Sequence, residues 1–511
     1  MSAPRSRTAR RGGRTLALLC AALGLVITSS ALAGPPGEIP NERARARGCR
    51  TGGPSWGGQQ LNMVKPQWVS NDPRDTIAGP PGTLPELGNA GRPEAVEGKV
   101  LLSKVTSEDW PFSHNSHDWI WYMAIDAPYY HRMVSNGNEK IVDLVRDHRY
   151  TDRPRAMEME WETAYFPMTY FPTKGDRAWM MGRHVFDCGH RPYRTEIHPP
   201  KAVAFTRAEP RITVGRDQAP SLTNVTRFWA HGRGGYYNAP VANRDYEFDI
   251  PLPPRPSPTA RPIAFTPHRE GTMAGRGRPV LTPTPADNPT RVHVRIPMNA
   301  GRTAPSHTYG ATIVTGWRET QLTRGYRKLR VTFDSIRVLR DHDPIASGEW
   351  ELYLQAGPRW LRPNAASSRA LRDVDNGQTV QLPNMTAEFF VPDNGSLHLQ
   401  SSGWESDWID GKFGVKRDPA KVSGSLLDNN DVIGLFARTF TARDAFGVGS
   451  THVTRSTSND FEVRYRIQEV ARYPAGARVT DPGKTPPPPP SPKPPGPPPY
   501  KCEQVPRLCL E

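Results

Sequence analysis

Apolar residues recur at every second position in the runs RVHVRIP, KLRVTFDSIRVL, EWELYLQ, SLHLQ and DFEVRYRI. That period marks a strand with one face buried, because successive side chains leave a strand on opposite sides. Gly, Asn, Asp and Pro separate the runs at short intervals, the punctuation of turns between strands. No long stretch carries a helical period; the best short helical candidate is APYYHRMVS at 127–135, with KIVDLVRDH behind it. The chain is therefore expected to be mainly β.

Proline sets the expected boundaries. Residues 34–98 form a low-order tail rich in Gly, Pro and Arg, and 99–250 a first β-domain. The run beginning PLPPRPSP, residues 251–290, interrupts regular structure and reads as a linker. A second β-block follows over 291–470. Residues 471–511 carry TPPPPPSPKPPGPPPY, a polyproline II spacer that cannot join a core. Both tails are expected to be disordered.

Residues 1–33 read as an export signal: Arg5, Arg7, Arg10, Arg11 and Arg14 precede the apolar run LALLCAALGLVI, and SSALA offers a cleavage site after Ala33. The apolar run falls short of the roughly 20 residues of a membrane span, and no later stretch would span one. The expected location is secreted or extracytoplasmic. Without those five arginines the balance is 61 basic against 51 acidic residues, or +10. The excess is dispersed, so nucleic acid is not an expected partner; an anionic cell-wall polymer or carbohydrate is. Four cysteines remain, Cys49, Cys188, Cys502 and Cys509. An exported chain favours disulfides, and a local Cys502–Cys509 bridge would leave Cys49 to pair with Cys188. The other reading makes Cys188 a free nucleophile near His190.

The densest polar stretch is GRHVFDCGHRPYRTEIHPP at 182–200. Gly182 marks a bulge or close backbone approach, and RPYR a turn. The return strand puts Glu196 and His198 on one side. A metal site of His190, Glu196 and His198, with Asp187 as base or orienter, meets the usual demand of a zinc or other divalent centre for three protein ligands. Further candidates are His114, His117 and Asp118 in HNSHDW and Glu160 and Glu162 in MEWE. The bland reading pairs these groups with one another, with Arg183 and Arg194, or with backbone.

The string GDR…GR…DCGH…TEIHPP, followed by FTR and RDYEFDIPLPPRP, resembles a group of uncharacterised exported bacterial proteins. A G-D-x-V-x-V-x-G strand followed by D-x-x-H and EIHP also resembles small β-barrels of the OB type, and implies an OB-like or small β-barrel first domain. Ala178 and Met180 depart from that pattern, standing where it prefers Val.

In the second block, RDHDP and WESDWID place Asp341, Asp343, Asp407 and Asp410 on acidic loops. They resemble the paired Asp-x-Asp loops of C2-like antiparallel β-sandwiches. That resemblance implies calcium at the rim, held by loop oxygens, although Glu405 replaces the usual second Asp. Solvated turns are the plain alternative. Trp317, Trp350, Trp360, Trp404 and Trp408 are candidate sugar-stacking platforms or packing residues. The expected function is an exported, envelope-associated or secreted β-protein, binding or structural at the cell surface. The alternative is a metal-dependent hydrolase centred on His190, Glu196 and His198.

Overall fold

The computed structural model describes residues 68–70, 93–105, 118–134, 155–162, 166–187, 193–209, 223–231, 244–298, 307–318, 322, 324–342, 347–363, 371, 373–405 and 432–477. The chain is mainly β, as its alternation requires. Five strands close a barrel: β2 (Glu94–Val105), β3 (Asp118–Ile125), β4 (Ala156–Glu162), β5 (Arg177–Asp187) and β6 (Arg194–Ala208). β2 pairs with β3, and β3 with β4, in antiparallel fashion; β4 then runs parallel to β6. β6 pairs with β5, and β5 returns to β2, so the ring has no free edge among these five. A short strand β1 (Trp68–Ser70), inside the segment expected as a tail, adds to β5.

One side of each barrel strand fills the interior. Trp119, Trp121 and Met123 of β3 meet Met157, Met159 and Trp161 of β4, with Ile197, Val203 and Phe205 of β6. Ala178 and Met180 belong to the same core. Where large indoles project inward, a small Ala and an adaptable Met fill the remaining space, so Val is not required there. The register of β5 on β6 shifts on both sides of Gly182, which lies opposite Pro200; this is the expected bulge.

The sheet then extends beyond the barrel through β7 (Thr223–His231), which pairs with the second half of β6. β8 (Tyr246–Pro251), β9 (Arg261–Glu270), β10 (Val280–Thr284), β11 (Arg291–Ile296) and β12 (Thr308–Arg318) complete the first unit. β12 joins β7, and β9 joins β12, while β10–β11–β8 form a separate three-stranded sheet. A core of Phe228, Phe248, Val292, Val294 and Ile313, with others, lies between the two layers.

This corrects the linker expected at 251–290, which contains β9 and β10. Both are edge strands, and edges tolerate Pro262, Pro267 and Pro283 because one row of their N–H groups has no partner to serve. The unit boundary therefore moves to the segment that follows β12.

The second unit is an antiparallel sandwich. β13 (Tyr326–Val338), β16 (Thr379–Gln381), β17 (Thr386–Pro392), β21 (Thr451–Arg455) and β22 (Phe461–Tyr473) form one sheet. β14 (Trp350–Ala356), β15 (Arg359–Leu361), β18 (Ser396–Glu405), β19 (Val432–Ile433) and β20 (Ala437–Thr441) form the other. Between them pack Leu329, Val331 and Phe333 with Leu352, Leu354, Leu397, Val463 and Tyr465. These are the alternating apolar positions of the sequence runs.

The sandwich is seated against the barrel. Trp119 stacks on Phe171 at 3.6 Å and meets Trp360 edge-on at 5.3 Å. The Trp360 indole N–H donates to the Pro172 carbonyl at 3.1 Å, and the Val105 N–H to Ser402 Oγ at 2.7 Å. The expected helix at 127–135 is a short 3-10 helix, Ala127–Arg132, without a side-chain cap at its start. Among the described residues no helix is long and apolar enough to cross a membrane.

Candidate functional site

The barrel interior takes Met157, Met159 and Trp161 of MEMEWE, and alternation turns Glu158 and Glu160 to the opposite face. The parallel register of β4 and β6 sets Glu158 beside Glu196 and Met159 beside Ile197. On the same outer face of β6, His198 Nδ1 lies 3.0 Å from Glu160 Oε2 and 3.5 Å from Glu196 Oε1. One ligand atom from each of Glu160, Glu196 and His198 falls within 4.8 Å of the others. Glu196 is 2% exposed and His198 8%. His198 Nδ1 is a long 3.5 Å from the Oε1 atom of Glu196, which makes no hydrogen bond of ordinary geometry among the described residues.

Arg194 anchors the other half of the patch. Its Nη2 lies 2.6 Å from Glu158 Oε2, and its Nε donates to Asp187 Oδ2 at 2.9 Å across the β5–β6 hairpin. Burial opposes the guanidinium charge, but Glu158, Asp187 and Glu196 outweigh it and raise its pKa. Burial pushes the Glu196 carboxyl up to about 8; Asp187 and Glu160 add to the push while His198 opposes it. Burial, reinforced by Glu158, likewise raises the Tyr122 phenol far above its ordinary value. Four carboxylates thus crowd one arginine and one imidazole. A divalent cation between Glu160, Glu196 and His198 would offset the surplus negative charge.

Of the sequence candidates, Glu196 and His198 come together, and Glu160 from MEWE joins them. Asp187 goes instead to Arg194. His190, His114, His117 and all four cysteines lie outside the described residues, as do the side chains of Asp118 and Glu162. Pairing with Arg194, the plain alternative of the sequence reading, is what Asp187 does; sequence reading missed Glu158 as that arginine's second partner, since only the non-local pairing of β4 with β6 brings it there. The one available signal was the alternation in MEMEWE, which already set Glu158 and Glu160 on one face.

In the sandwich, Asp341 clamps a loop. Its N–H donates to Asn376 Oδ1 at 3.0 Å, its Oδ2 accepts the Asn376 N–H at 3.2 Å, and its carbonyl accepts the Trp350 indole N–H at 2.9 Å. Asp343, Asp407 and Asp410 lie outside the described residues. Glu405 is fully buried, and its Oε1 accepts the Glu349 N–H at 3.2 Å. Trp317, Trp350, Trp360 and Trp404 are all buried, so of the two alternatives these four take packing; Trp408 is outside the described residues. Their flat faces pack, and the Trp317 N–H donates to the Pro253 carbonyl at 2.6 Å, because a buried indole needs an acceptor for its single donor.

No family profile matches the chain, and no curated protein matches it. Among solved structures, one described as a C2 domain matches at 14% identity and a TM-score of 0.17, covering 28% of this chain and 98% of its own. Human GIVD cytosolic phospholipase A2, in complex with methyl gamma-linolenyl fluorophosphonate inhibitor and terbium chloride, matches at 12% identity and a TM-score of 0.19. That match covers 30% of this chain and 18% of the phospholipase chain.

Proposed function

We propose that this chain is an exported, envelope-associated binding protein whose barrel holds a divalent metal ion at Glu160, Glu196 and His198. One observation carries the metal: three ligand atoms within 4.8 Å of one another, one from a buried carboxylate. Its Oε1 lies 3.5 Å from His198 Nδ1 and makes no hydrogen bond of ordinary geometry among the described residues. Two carboxylates and an imidazole suit zinc, manganese or iron. Export rests on the basic and apolar start ending in SSALA.

A second reading is metal-dependent hydrolysis. It is favoured by the number of protein ligands, since three with an open position is the pattern of catalytic rather than closed structural zinc. Metal analysis of the purified mature protein tests the centre that both readings share. About one equivalent of zinc, manganese or iron, lost in Glu160→Gln and His198→Gln, is the expected result. Metal-free wild-type protein that does not take up any of the three ions overturns it. Ester and phosphodiester substrates then separate the readings, because the hydrolase turns them over only when loaded.

A further inference from the structure

The sandwich sheet built on β13 and β22 turns one face to the core and the other to solvent. Along the seam between these two strands, each row of paired residues places one cation on the solvent face. Arg337 stands opposite Glu462, Arg464 opposite Ser335, Arg466 opposite Thr332, Arg330 opposite Gln468 and Lys328 opposite Ala471. Alternation sends their neighbours Leu329, Val331, Ile336, Val463, Tyr465 and Ile467 into the core. Register shifts at Lys328/Leu329 and Phe333/Ser335 bend the series without breaking it. Rows two residues apart on a strand lie about 7 Å apart, so the five cations form a line on the order of 30 Å long.

The carboxylates of this face do not match them. Glu462 lies 3.7 Å from Arg337 and 2.5 Å from Arg455 of β21. Asp334 lies 2.8 Å from Arg466, and Glu388 of β17 serves both Arg330 and Lys328. Six cations thus share three carboxylates. Arg464 is exposed and stands between Ser335 and Val453, neither of which carries charge. Two of the three exposed large apolar side chains among the described residues border the same line. They are Val453, opposite Arg464, and Val470, at the register shift of β22.

Such a surface matches a ligand that is itself a line of anions on a C–H-rich backbone. Arginine forks grip phosphate oxygens in pairs, and the valines offer apolar surface to C–H groups. In a glycerol phosphate chain three carbons and two oxygens separate successive phosphorus atoms, an interval comparable to that of the rows. Single-stranded nucleic acid also repeats its charge, but its binders supply aromatic platforms for the bases. The outward positions of the seam carry no aromatic residue.

We infer that the outer face of the β13–β22 seam docks a linear polyol-phosphate chain, the chemistry of an anionic envelope polymer. The inference deepens the envelope-binding reading and rests on it only for where such a polymer is met; the metal centre takes no part.

The test is calorimetric titration of the full mature chain, treated with chelator, using a poly(glycerol phosphate) oligomer long enough to span the five rows. Inorganic phosphate, an uncharged glucan, oligothymidylate and phosphatidylglycerol vesicles are the comparison ligands. The oligomer should bind more tightly than any of these, with an affinity that falls as salt rises because its counterions are released on binding. Arg337→Glu/Arg464→Glu should lose about tenfold or more in affinity, as reversed charges beside bound anions require. Arg337→Gln/Arg464→Gln adds no repulsion to the sheet and should show a smaller loss with an unchanged melting temperature. Arg261→Glu/Arg278→Glu, at exposed positions of the first unit, should stay near wild type. Equal loss in that control reduces the effect to net charge and overturns the inference. So does absence of oligomer binding by natively folded wild type, or full binding by both seam variants. Oligothymidylate, vesicles or free phosphate binding as tightly as the oligomer would each replace the proposed occupant and overturn it too. Failure of the export reading is seen in where the protein accumulates, and failure of the metal centre in metal content; neither alters the titration.

Discussion

His198 Nδ1 lies 3.0 Å from Glu160 Oε2, an approach made between the barrel's two parallel strands. A protonated imidazole makes this an ion pair and a neutral Nδ1–H tautomer makes it a hydrogen bond; only the Nε2–H tautomer leaves two carboxylates facing a lone pair. The ligand and structural readings diverge in what mutation does. If the group holds a metal, Glu196→Gln and His198→Gln lose the ion while the metal-free fold survives. If it is only a buried polar pair, each change costs about 1–3 kcal/mol for the stranded partner, with no metal to lose. Metal content and melting temperature measured on the same two variants decide between them. The expected outcome is loss of metal, with the metal-free variants melting within a few degrees of metal-free wild type.

Arg194 supplies a separate prediction because it serves two buried carboxylates at once. Arg194→Ala strands Glu158 and Asp187 together, and removing one member of a buried charged network costs about 3–5 kcal/mol. Arg194→Lys should recover little, since an ammonium lacks the fork that reaches both partners. Urea unfolding of the two variants provides the measurement. A loss below about 1 kcal/mol in the alanine variant would show that the bridge contributes nothing net.

Glu209 predicts the acid limb of stability. Burial raises its carboxyl, but Arg227, Arg359 and Arg207 outweigh burial and bring it down to about 2. Its Oε2 accepts Arg227 Nη2 at 3.0 Å, and its Oε1 pairs with Arg359 from the sandwich. A carboxyl depressed on folding contributes stability that is fully present above its unfolded value, 4.5. That stability is lost as pH falls from there through about 2. Glu209→Gln should therefore be less stable than wild type at neutral pH, with the gap closing as the medium approaches pH 2. A gap independent of pH would place the effect in packing instead of charge.

The strands were legible because their evidence is local. A period of two in RVHVRIP or DFEVRYRI depends only on neighbours, and the same positions became Val292, Val294, Val463 and Tyr465 of the cores. What joins the strands was not legible. The parallel pairing of β4 with β6 closes the barrel and brings Glu160 to His198, yet neither strand encodes its partner. Proline misled at 251–290 because composition does not say whether a strand sits at an edge, where Pro267 and Pro283 are tolerated. The indoles were undecided for the same reason: packing and sugar stacking ask for the same residue type, and only the barrel's cover over Trp360 and Trp404 decides for packing.

Trp360 gives the last prediction, since it ties the units together. Its ring lies edge-on to Trp119 at 5.3 Å and 6.0 Å from Phe171, and its N–H reaches the Pro172 carbonyl. All three partners belong to the first unit, while Trp360 itself sits on β15 of the sandwich. Trp360→Ala removes an aromatic anchor from a packed junction and should cost about 3–5 kcal/mol. The loss falls on the contact between the units, because the sandwich's own core of Leu352, Leu354 and Leu397 is untouched. Thermal unfolding should then split into two transitions where wild type shows one. Limited proteolysis should also cut between β12 and β13, releasing a stable sandwich fragment. A single transition at the wild-type temperature, with no new cleavage, would mean that the remaining contacts, among them Val105 to Ser402, Gln400 to the Ser103 carbonyl, Arg207 to the Pro358 carbonyl and Arg359 to Glu209, hold the junction without it.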